Sequence, residues 1–203
     1  MPGLCYNTIR QAEGRPTRGA EGSLSQKKKK KKEKFFKKVL TNPKGYDTIQ
    51  TEREKEEKTM TINFDMDGTI ANLYGVNGWL EMLIAEDTTP YAKAEPMVNF
   101  SSLARLLNKA QRKGNKIAVI SWTSKNGSAE YNEAVAKAKK AWLAKHLPSV
   151  KWDAVNVVPY GYNKANFAES ADDVLFDDEE PNRKAWTGKA YGVENIIEIL
   201  KKI

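Results

Sequence analysis

Short apolar runs alternate with amphipathic stretches from about residue 60 to the C-terminus, and this alternation constrains the fold more than any other feature. The apolar runs predict four strands, at residues 61–64, 116–121, 152–158 and 173–176. The amphipathic stretches predict five helices, at 77–86, 100–113, 132–146, 163–170 and 193–202, with a loop at 87–96. Strands that alternate with helices form a mostly parallel sheet with helices on both faces. We therefore expect a three-layer, Rossmann-like α/β fold.

Residues 1–59 differ from the rest of the chain in charge. They contain 16 Lys and Arg residues against 8 Asp and Glu residues, whereas residues 60–203 contain 18 of each. The formal net charge of +8 therefore belongs to the N-terminal segment, which includes the six lysines Lys27–Lys32. This segment has no long apolar face to offset its ordering entropy. We expect a disordered basic tail, with at most a marginal helix near residues 35–40, followed by one domain at 60–203.

The basic tail has three interpretations. The first is a solvated, non-specific tail. The second is an electrostatic grip on nucleic acid or on an anionic membrane. The third is that the natural protein starts at Met60, because residues 55–59 can be encoded by a purine-rich run that resembles a bacterial ribosome-binding site.

Cysteine and histidine are too rare to support several kinds of site. The single cysteine, Cys5, lies in the tail, and the single histidine, His146, ends a predicted helix, where a helix-terminal cation is the expected role. A Ser-His-Asp triad and a histidine-rich zinc site are therefore excluded. The sequence has no 18-residue apolar run and no signal peptide, so we expect a cytoplasmic protein without a membrane span.

The hexapeptide Phe64-Asp-Met-Asp-Gly-Thr69 follows the first predicted strand. An Asp-Gly turn after the strand can direct Asp65 and Asp67 into one cleft. Two close carboxylates suit a hard cation, or a division of labour between nucleophile and general acid. An ordinary strand that ends in a turn is the alternative interpretation.

The other predicted strands also end in polar residues. In parallel sheets, ligands bind at the carboxyl ends of the strands. Together with the first strand, these ends gather four carboxylates, hydroxyls and a lysine, a mixture that suits a divalent cation and a phosphate group. The residues beyond the first strand are Ser121, Thr123, Lys164, Asp177 and Asp178.

In this order the motifs resemble those of the haloacid dehalogenase (HAD) superfamily of aspartate-nucleophile phosphohydrolases. Asp65-Met-Asp-Gly-Thr69 resembles the first motif and Ser121 the second, while Lys164 and Asp177-Asp178 resemble the third and fourth. The resemblance covers about residues 60–203. The run 175–182 also resembles the corresponding segment of 5′(3′)-deoxyribonucleotidases and phage-type nucleotidase-like proteins.

The resemblance implies an activity and a role for each of these residues. Asp65 would be the nucleophile that forms an aspartyl-phosphate, and Asp67 the general acid and base. Mg²⁺ would bind the Asp65 carboxylate, the Asp67 backbone carbonyl and a carboxylate of the fourth motif. Asp177 is expected as the direct ligand and Asp178 as the indirect one, with the reverse order left open.

The hydroxyls and the lysine would contact the phosphoryl group. Ser121, with Thr123 as its rival, and Thr69 are expected to bind phosphoryl oxygens. Lys164 would neutralise charge between the phosphate and Asp65. An acid two residues after the nucleophile is typical of the phosphatase branch, so phosphate-ester hydrolysis is the expected reaction.

The substrate is constrained less tightly. Residues 73–99 can form only a small helical cap, in which Tyr74, Trp79 and Tyr91 could stack on a nucleobase, although Trp79 could instead pack in the core. The leading hypothesis is a Mg²⁺-dependent phosphomonoesterase acting on nucleotides. One alternative is a polynucleotide-end phosphatase that uses the basic tail. The other is a catalytically idle HAD-fold binding protein.

Overall fold

The computed structural model describes residues 59–203, and a parallel five-stranded sheet lies at the centre of this part of the chain. In chain order the strands are β1 (Thr61–Phe64), β2 (Ala71–Asn72), β3 (Glu95–Pro96), β4 (Lys116–Trp122), β5 (Ala154–Val158), β6 (Val174–Phe176) and β7 (Lys189–Tyr191). The helices are α1 (Trp79–Ile84), α2 (Thr89–Lys93), α3 (Phe100–Arg112), α4 (Ala129–His146), α5 (Glu180–Ala185) and α6 (Ile196–Lys202). Single 3₁₀ turns lie at Leu73–Gly75, Lys164–Phe167 and Val193–Asn195.

The central sheet has the strand order β5-β4-β1-β6-β7, and every neighbouring pair is parallel. Phe64, the last residue of β1, pairs with Val119 of β4 and with Phe176 of β6. The carboxyl end of β1 therefore lies between those of its two neighbours. This arrangement confirms the expected Rossmann-like α/β fold.

The core lies on both faces of the sheet because successive strand side chains point to opposite sides. On one face, Ile62 and Phe64 of β1 belong to the main apolar cluster, which includes residues of α3, α4 and α6. On the other face, Ile120 and Leu175 pack with Trp186, which directly follows α5. Burying apolar surface contributes about 25 cal/mol of stabilising free energy per Å². The sheet buries such surface on both of its faces, and it is the part of the fold that carries the site.

The structure differs from the predicted elements in four places. The predicted loop 87–96 contains α2 and β3, and the predicted helix 163–170 is only a 3₁₀ turn. Strand β2 lies where no element was expected, and so do α5 and β7 in a later region. Helices α2 and α5 each have proline in the first turn, which favours helix initiation but gives no apolar periodicity. Strand β7 has three residues and exists through its pairing with β6, so tertiary contact rather than local pattern determines it.

The segment between β2 and β3 forms a small helical cap, as expected. Its base is the antiparallel β2–β3 pair, and it carries α1 and α2. The Tyr131 hydroxyl of α4 donates to the Asp87 carbonyl at 3.1 Å, and the Ser128 hydroxyl donates to Glu86 at 2.7 Å. Leu73 and Tyr91 also share a buried cluster with residues of α4. The cap is therefore attached to the helix that follows β4.

The expected disorder of residues 1–59 concerns, apart from Thr59, the part of the chain outside the described residues, and the marginal helix near 35–40 lies there too. Within residues 59–203, no helix is both long enough and apolar enough to cross a membrane.

Candidate active site

A cavity of about 490 Å³ opens at the carboxyl end of the sheet, between the strand ends and the cap. Six of the eight predicted site residues line it: Asp65, Asp67, Ser121, Thr123, Lys164 and Asp178. The other two, Thr69 and Asp177, are fully buried beside it. The tertiary structure thus brings all the predicted residues to one place.

A tight turn after β1 directs the two aspartates of the first motif. The Met66 carbonyl accepts hydrogen bonds from the amides of Thr69, Ile70 and Ala71. Gly68 has φ +79°, a backbone conformation that residues other than glycine rarely adopt. An added Cβ would lie 2.5 Å from Oδ2 of Asp178. Glycine is therefore required both by the turn and by the close approach of the fourth motif.

Lys164 joins the nucleophile candidate to the fourth motif. Its ammonium donates to Oδ1 of Asp65 at 2.8 Å and to Oδ2 of Asp177 at 2.7 Å, and it lies 4.7 Å from the ring centroid of Trp122. Burial opposes its charge, but the two carboxylates outweigh burial and raise the pKa of Lys164 above its ordinary value. The side chain is therefore a permanent cation beside Asp65.

Asp67 contacts a second lysine that sequence reasoning missed. Lys139 of α4, 1% exposed, donates from Nζ to Oδ2 of Asp67 at 2.6 Å. Although 19% of the Asp67 side chain is exposed to the cavity, burial raises its pKa, and Lys139 only partly opposes that effect. The available signal was position: Lys139 follows the buried Tyr131 and Val135 at four-residue intervals on the inner face of α4.

The two aspartates of the fourth motif have different environments. Both oxygens of Asp177 are occupied, one by Lys164 and the Asn182 amide, the other by the backbone N–H of Glu179 and the same amide. Asp178 lines the cavity, and its Oδ1 lies 3.2 Å from the Thr69 hydroxyl. Burial, with the nearby Asp65 and Asp177, raises the pKa of Asp178 to about 6. Asp178 is thus the carboxylate of this pair that faces the cavity.

The three residues with candidate hydroxyl groups also lie in different environments. Thr69 is fully buried, and its Oγ1 accepts from the backbone N–H of Asp178 at 3.0 Å, so it braces the acid cluster rather than facing the cavity. Ser121 lines the cavity, and its Oγ accepts from Lys139 at 2.9 Å. Thr123 also lines the cavity, and its backbone N–H donates to Val158. Ser121 and Thr123 both stay candidates for a phosphoryl contact.

The oxygen donors at this site suit Mg²⁺, the ion that the family resemblance implies. Among residues 59–203, no three Asp, Glu, His or Cys side chains lie at metal-binding spacing. Asp177 lies outside the cavity lining and is hydrogen-bonded by Lys164 and Asn182. Asp65 and Asp178 both line the cavity, and each could offer a carboxylate oxygen to an ion. Two carboxylates, a carbonyl and several waters form the oxygen set that Mg²⁺ prefers, so the residues fit the ion.

Aromatic side chains form two walls of the cavity. On the cap side, Tyr74 and Trp79 make an edge-to-face pair with ring centroids 5.1 Å apart. On the sheet side, Trp122 and Tyr160 lie 5.0 Å apart. Trp79 is therefore a cavity residue, not a core residue. Tyr91 also lines the cavity, but it is 4% exposed and packs between the cap and α4.

His146 lies at the end of α4, as expected, and takes no part in lining this cavity. Its ring packs 4.6 Å from that of Trp142. Burial, followed by the charge of Lys145, lowers the pKa of His146. The expected helix-terminal cation is therefore disfavoured at neutral pH, and packing is the role that the contacts support.

Comparison with known proteins finds likeness among solved structures. No family model matches the chain, and no curated protein matches it. Among solved structures, the chain is similar to a D,D-heptose 1.7-bisphosphate phosphatase from B. bronchiseptica, crystallised with magnesium and phosphate. The identity is 10% and the TM-score 0.47, over 71% of this chain and 97% of the other. The activity of this chain has to be argued from its own residues.

Proposed function

We propose that this protein is a Mg²⁺-dependent phosphomonoesterase of the HAD superfamily that acts through an aspartyl-phosphate on Asp65. One observation carries the proposal: Asp65 and Asp67 face the same cavity, yet each is held by a different buried lysine. Separate cations give two neighbouring carboxylates separate roles, as nucleophile and as acid. An idle binding protein would have no need for either arrangement.

In the first step, an oxygen of Asp65 attacks the phosphorus atom of the substrate. A P–O bond to Asp65 forms, the P–O bond to the alcohol breaks, and Asp67 gives its proton to the departing oxygen. The raised pKa of Asp67 favours the protonated form that this step needs. Lys164, which makes two contacts with carboxylates, has its third N–H donor left for a phosphoryl oxygen.

In the second step, Asp67 takes a proton from a water molecule, which attacks the aspartyl-phosphate. The bond between phosphorus and Asp65 breaks, inorganic phosphate leaves, and both carboxyl groups return to their starting state. The residues that would hold Mg²⁺ are Asp65, Asp178 and the Asp67 backbone carbonyl, with Asp177 as the anchor of Lys164. When bound, the ion would stabilise charge on the phosphoryl oxygens.

A nucleotide is the substrate class that the cavity favours. The cavity volume of about 490 Å³ lies within the usual range for small-molecule sites. Aromatic rings on two walls provide faces on which a base can stack. A nucleoside monophosphate would place its phosphate at Asp65 and its base between cap and sheet. The polynucleotide-end alternative rests on the basic tail, outside the described residues.

The test is a phosphatase panel of ribo- and deoxynucleotides, sugar phosphates and 5′-phosphorylated oligonucleotides, with and without Mg²⁺. We expect turnover that EDTA abolishes and that Asp65→Asn lowers by at least about 10³-fold, because the amide is not nucleophilic. Glu194→Gln, an exposed change outside the cavity lining, is the matched control and should keep full activity. Wild-type protein that hydrolyses nothing on the panel would refute the proposal.

A further inference from the structure

The buried ammonium of Lys139 touches the site without lining the cavity. Its Nζ donates to Oδ2 of Asp67 at 2.6 Å, to Oγ of Ser121 at 2.9 Å and to the Trp122 carbonyl at 2.5 Å. A lysine ammonium has three N–H donors, so these contacts use all of them. Lys139 therefore has no donor left for a substrate, in contrast to Lys164.

We propose that Lys139 is the positioning residue for the leaving-group acid: it holds Oδ2 of Asp67 and leaves Oδ1 as the oxygen that passes a proton to the departing alcohol. This inference rests on the proposed phosphomonoesterase function. The acid follows a turn and would otherwise rotate about its side-chain bonds. A displacement of about 1 Å at a reacting group can cost about 10²-fold in rate.

The fold holds Lys139 itself from several directions. Ser121 and Trp122 both belong to β4, so two of its three contacts are to the rigid sheet. The ammonium also lies 5.1 Å from the ring centroid of Tyr91 in the cap. Lys139 thus contacts Asp67, the sheet and the cap at the same time.

A leaving-group series separates positioning from a merely structural role. Protonation by Asp67 matters when the departing oxygen is a poor leaving group and matters little when it is a good one. The probes are p-nitrophenyl, phenyl and benzyl phosphate, which have similar rings and progressively poorer leaving groups. The measured quantity is kcat/KM, which covers the steps up to departure of the alcohol.

Lys139→Met should lower kcat/KM for benzyl phosphate by roughly 10²-fold and that for p-nitrophenyl phosphate by no more than about threefold, the pattern of weakened general acid catalysis. Asp67→Asn should show the same ordering with a larger amplitude. Lys137→Met, an exposed change on the same helix, is the matched control and should behave as wild type. If Lys139→Met does not fold, Lys139→Gln should give the same ordering with a smaller amplitude.

Equal losses on all three esters would overturn the inference, because a structural defect does not depend on the leaving group. No loss in the folded variant would overturn it as well. A wild-type enzyme that is inactive on all three esters and on the whole phosphatase panel refutes the proposed function, and this inference falls with it. Wild-type activity with a flat response to Lys139→Met refutes the positioning role alone.

Discussion

The two aspartates of the first motif differ in their hydrogen-bond partners, because each one contacts a different lysine. Asp65 contacts Lys164 from the turn after β5, and Asp67 contacts Lys139 from α4. Asp178 contacts neither of these ammonium groups through its own oxygens, and burial, followed by the negative charge of Asp65 and Asp177, raises its pKa. An arriving cation would relieve that charge.

Asp178 gives the metal-free protein a specific pH dependence. Its folded-state pKa of about 6 lies above the ordinary value of 3.8, so the native state binds the proton more tightly than the unfolded state. This contribution to stability is present below about pH 4 and is lost as the pH rises through about 6. Asp67 and Asp177 are raised in the same direction.

We therefore expect the melting temperature of the metal-free protein to rise as the pH falls from about 7 to about 5. Asp178→Asn should weaken this dependence, and Mg²⁺ should raise the melting temperature at about pH 7 more than at about pH 5 because a protonated carboxyl group binds metal poorly. Thermal scans with EDTA and with Mg²⁺ measure both effects. The same pH dependence in Asp178→Asn as in the wild type would contradict the assignment, and this comparison cancels the opposite slope that the lowered pKa of His146 contributes.

At the scale of elements, α4 links the cap to the chemistry. Its N-terminal end contacts the cap through Ser128 and Tyr131, and two turns later it supplies Lys139 to the acid. The cap in turn contributes one aromatic wall through the 3₁₀ turn at 73–75 and α1. The elements that carry the proposed substrate recognition and acid positioning are therefore in direct contact.

Trp79→Ala tests the aromatic wall. We expect kcat/KM for a nucleoside monophosphate to fall about tenfold, because one base–aromatic stack is worth roughly 1–3 kcal/mol. Glycerol phosphate has no ring, so its kcat/KM should change little. Tyr162→Ala, which removes an aromatic ring that is 41% exposed and outside the cavity lining, is the matched control. Equal effects on both substrates would mean that Trp79 supports the cap and does not recognise a base.

At the scale of the whole molecule, the net charge and the candidate active site lie in different parts of the chain. The domain that carries the site is formally neutral, and the net charge of +8 lies in residues 1–59. Salt-sensitive attraction to a polyanion is therefore expected from the tail, whereas in the proposed reaction a single phosphate binds inside the cavity.

Replacing Lys27–Lys32 with glutamine in the full chain should leave kcat/KM for a nucleoside monophosphate unchanged. Any affinity for a 5′-phosphorylated oligonucleotide should fall, and its salt dependence should flatten, because each lost phosphate contact removes about one unit from the logarithmic slope. Binding titrations at several salt concentrations measure this. An unaltered slope would place oligonucleotide binding in the domain at 60–203 instead.

Much of the fold was predictable because it depends on local pattern. Strand β6 is a continuous apolar run, β4 is apolar along most of its length, and β1 has Ile62 and Phe64 two residues apart. Helix α3 repeats its apolar residues at helical spacing. Strand β7 and helix α5 have no such pattern, since three residues and six residues carry too little periodicity. Strand β7 forms because it pairs with β6 at the edge of the sheet. Helix α5 forms beside Trp186, which follows it and packs against the sheet.

By itself, the sequence determined the order of the motifs and hence the residues that meet at the carboxyl end of the sheet, because parallel strands place their ends at one edge. Only the tertiary structure decided which of Asp177 and Asp178 faces the cavity, that Thr69 is buried, and that Lys139 reaches Asp67 across 72 residues. Those outcomes depend on side-chain contacts between distant segments, which local pattern does not encode.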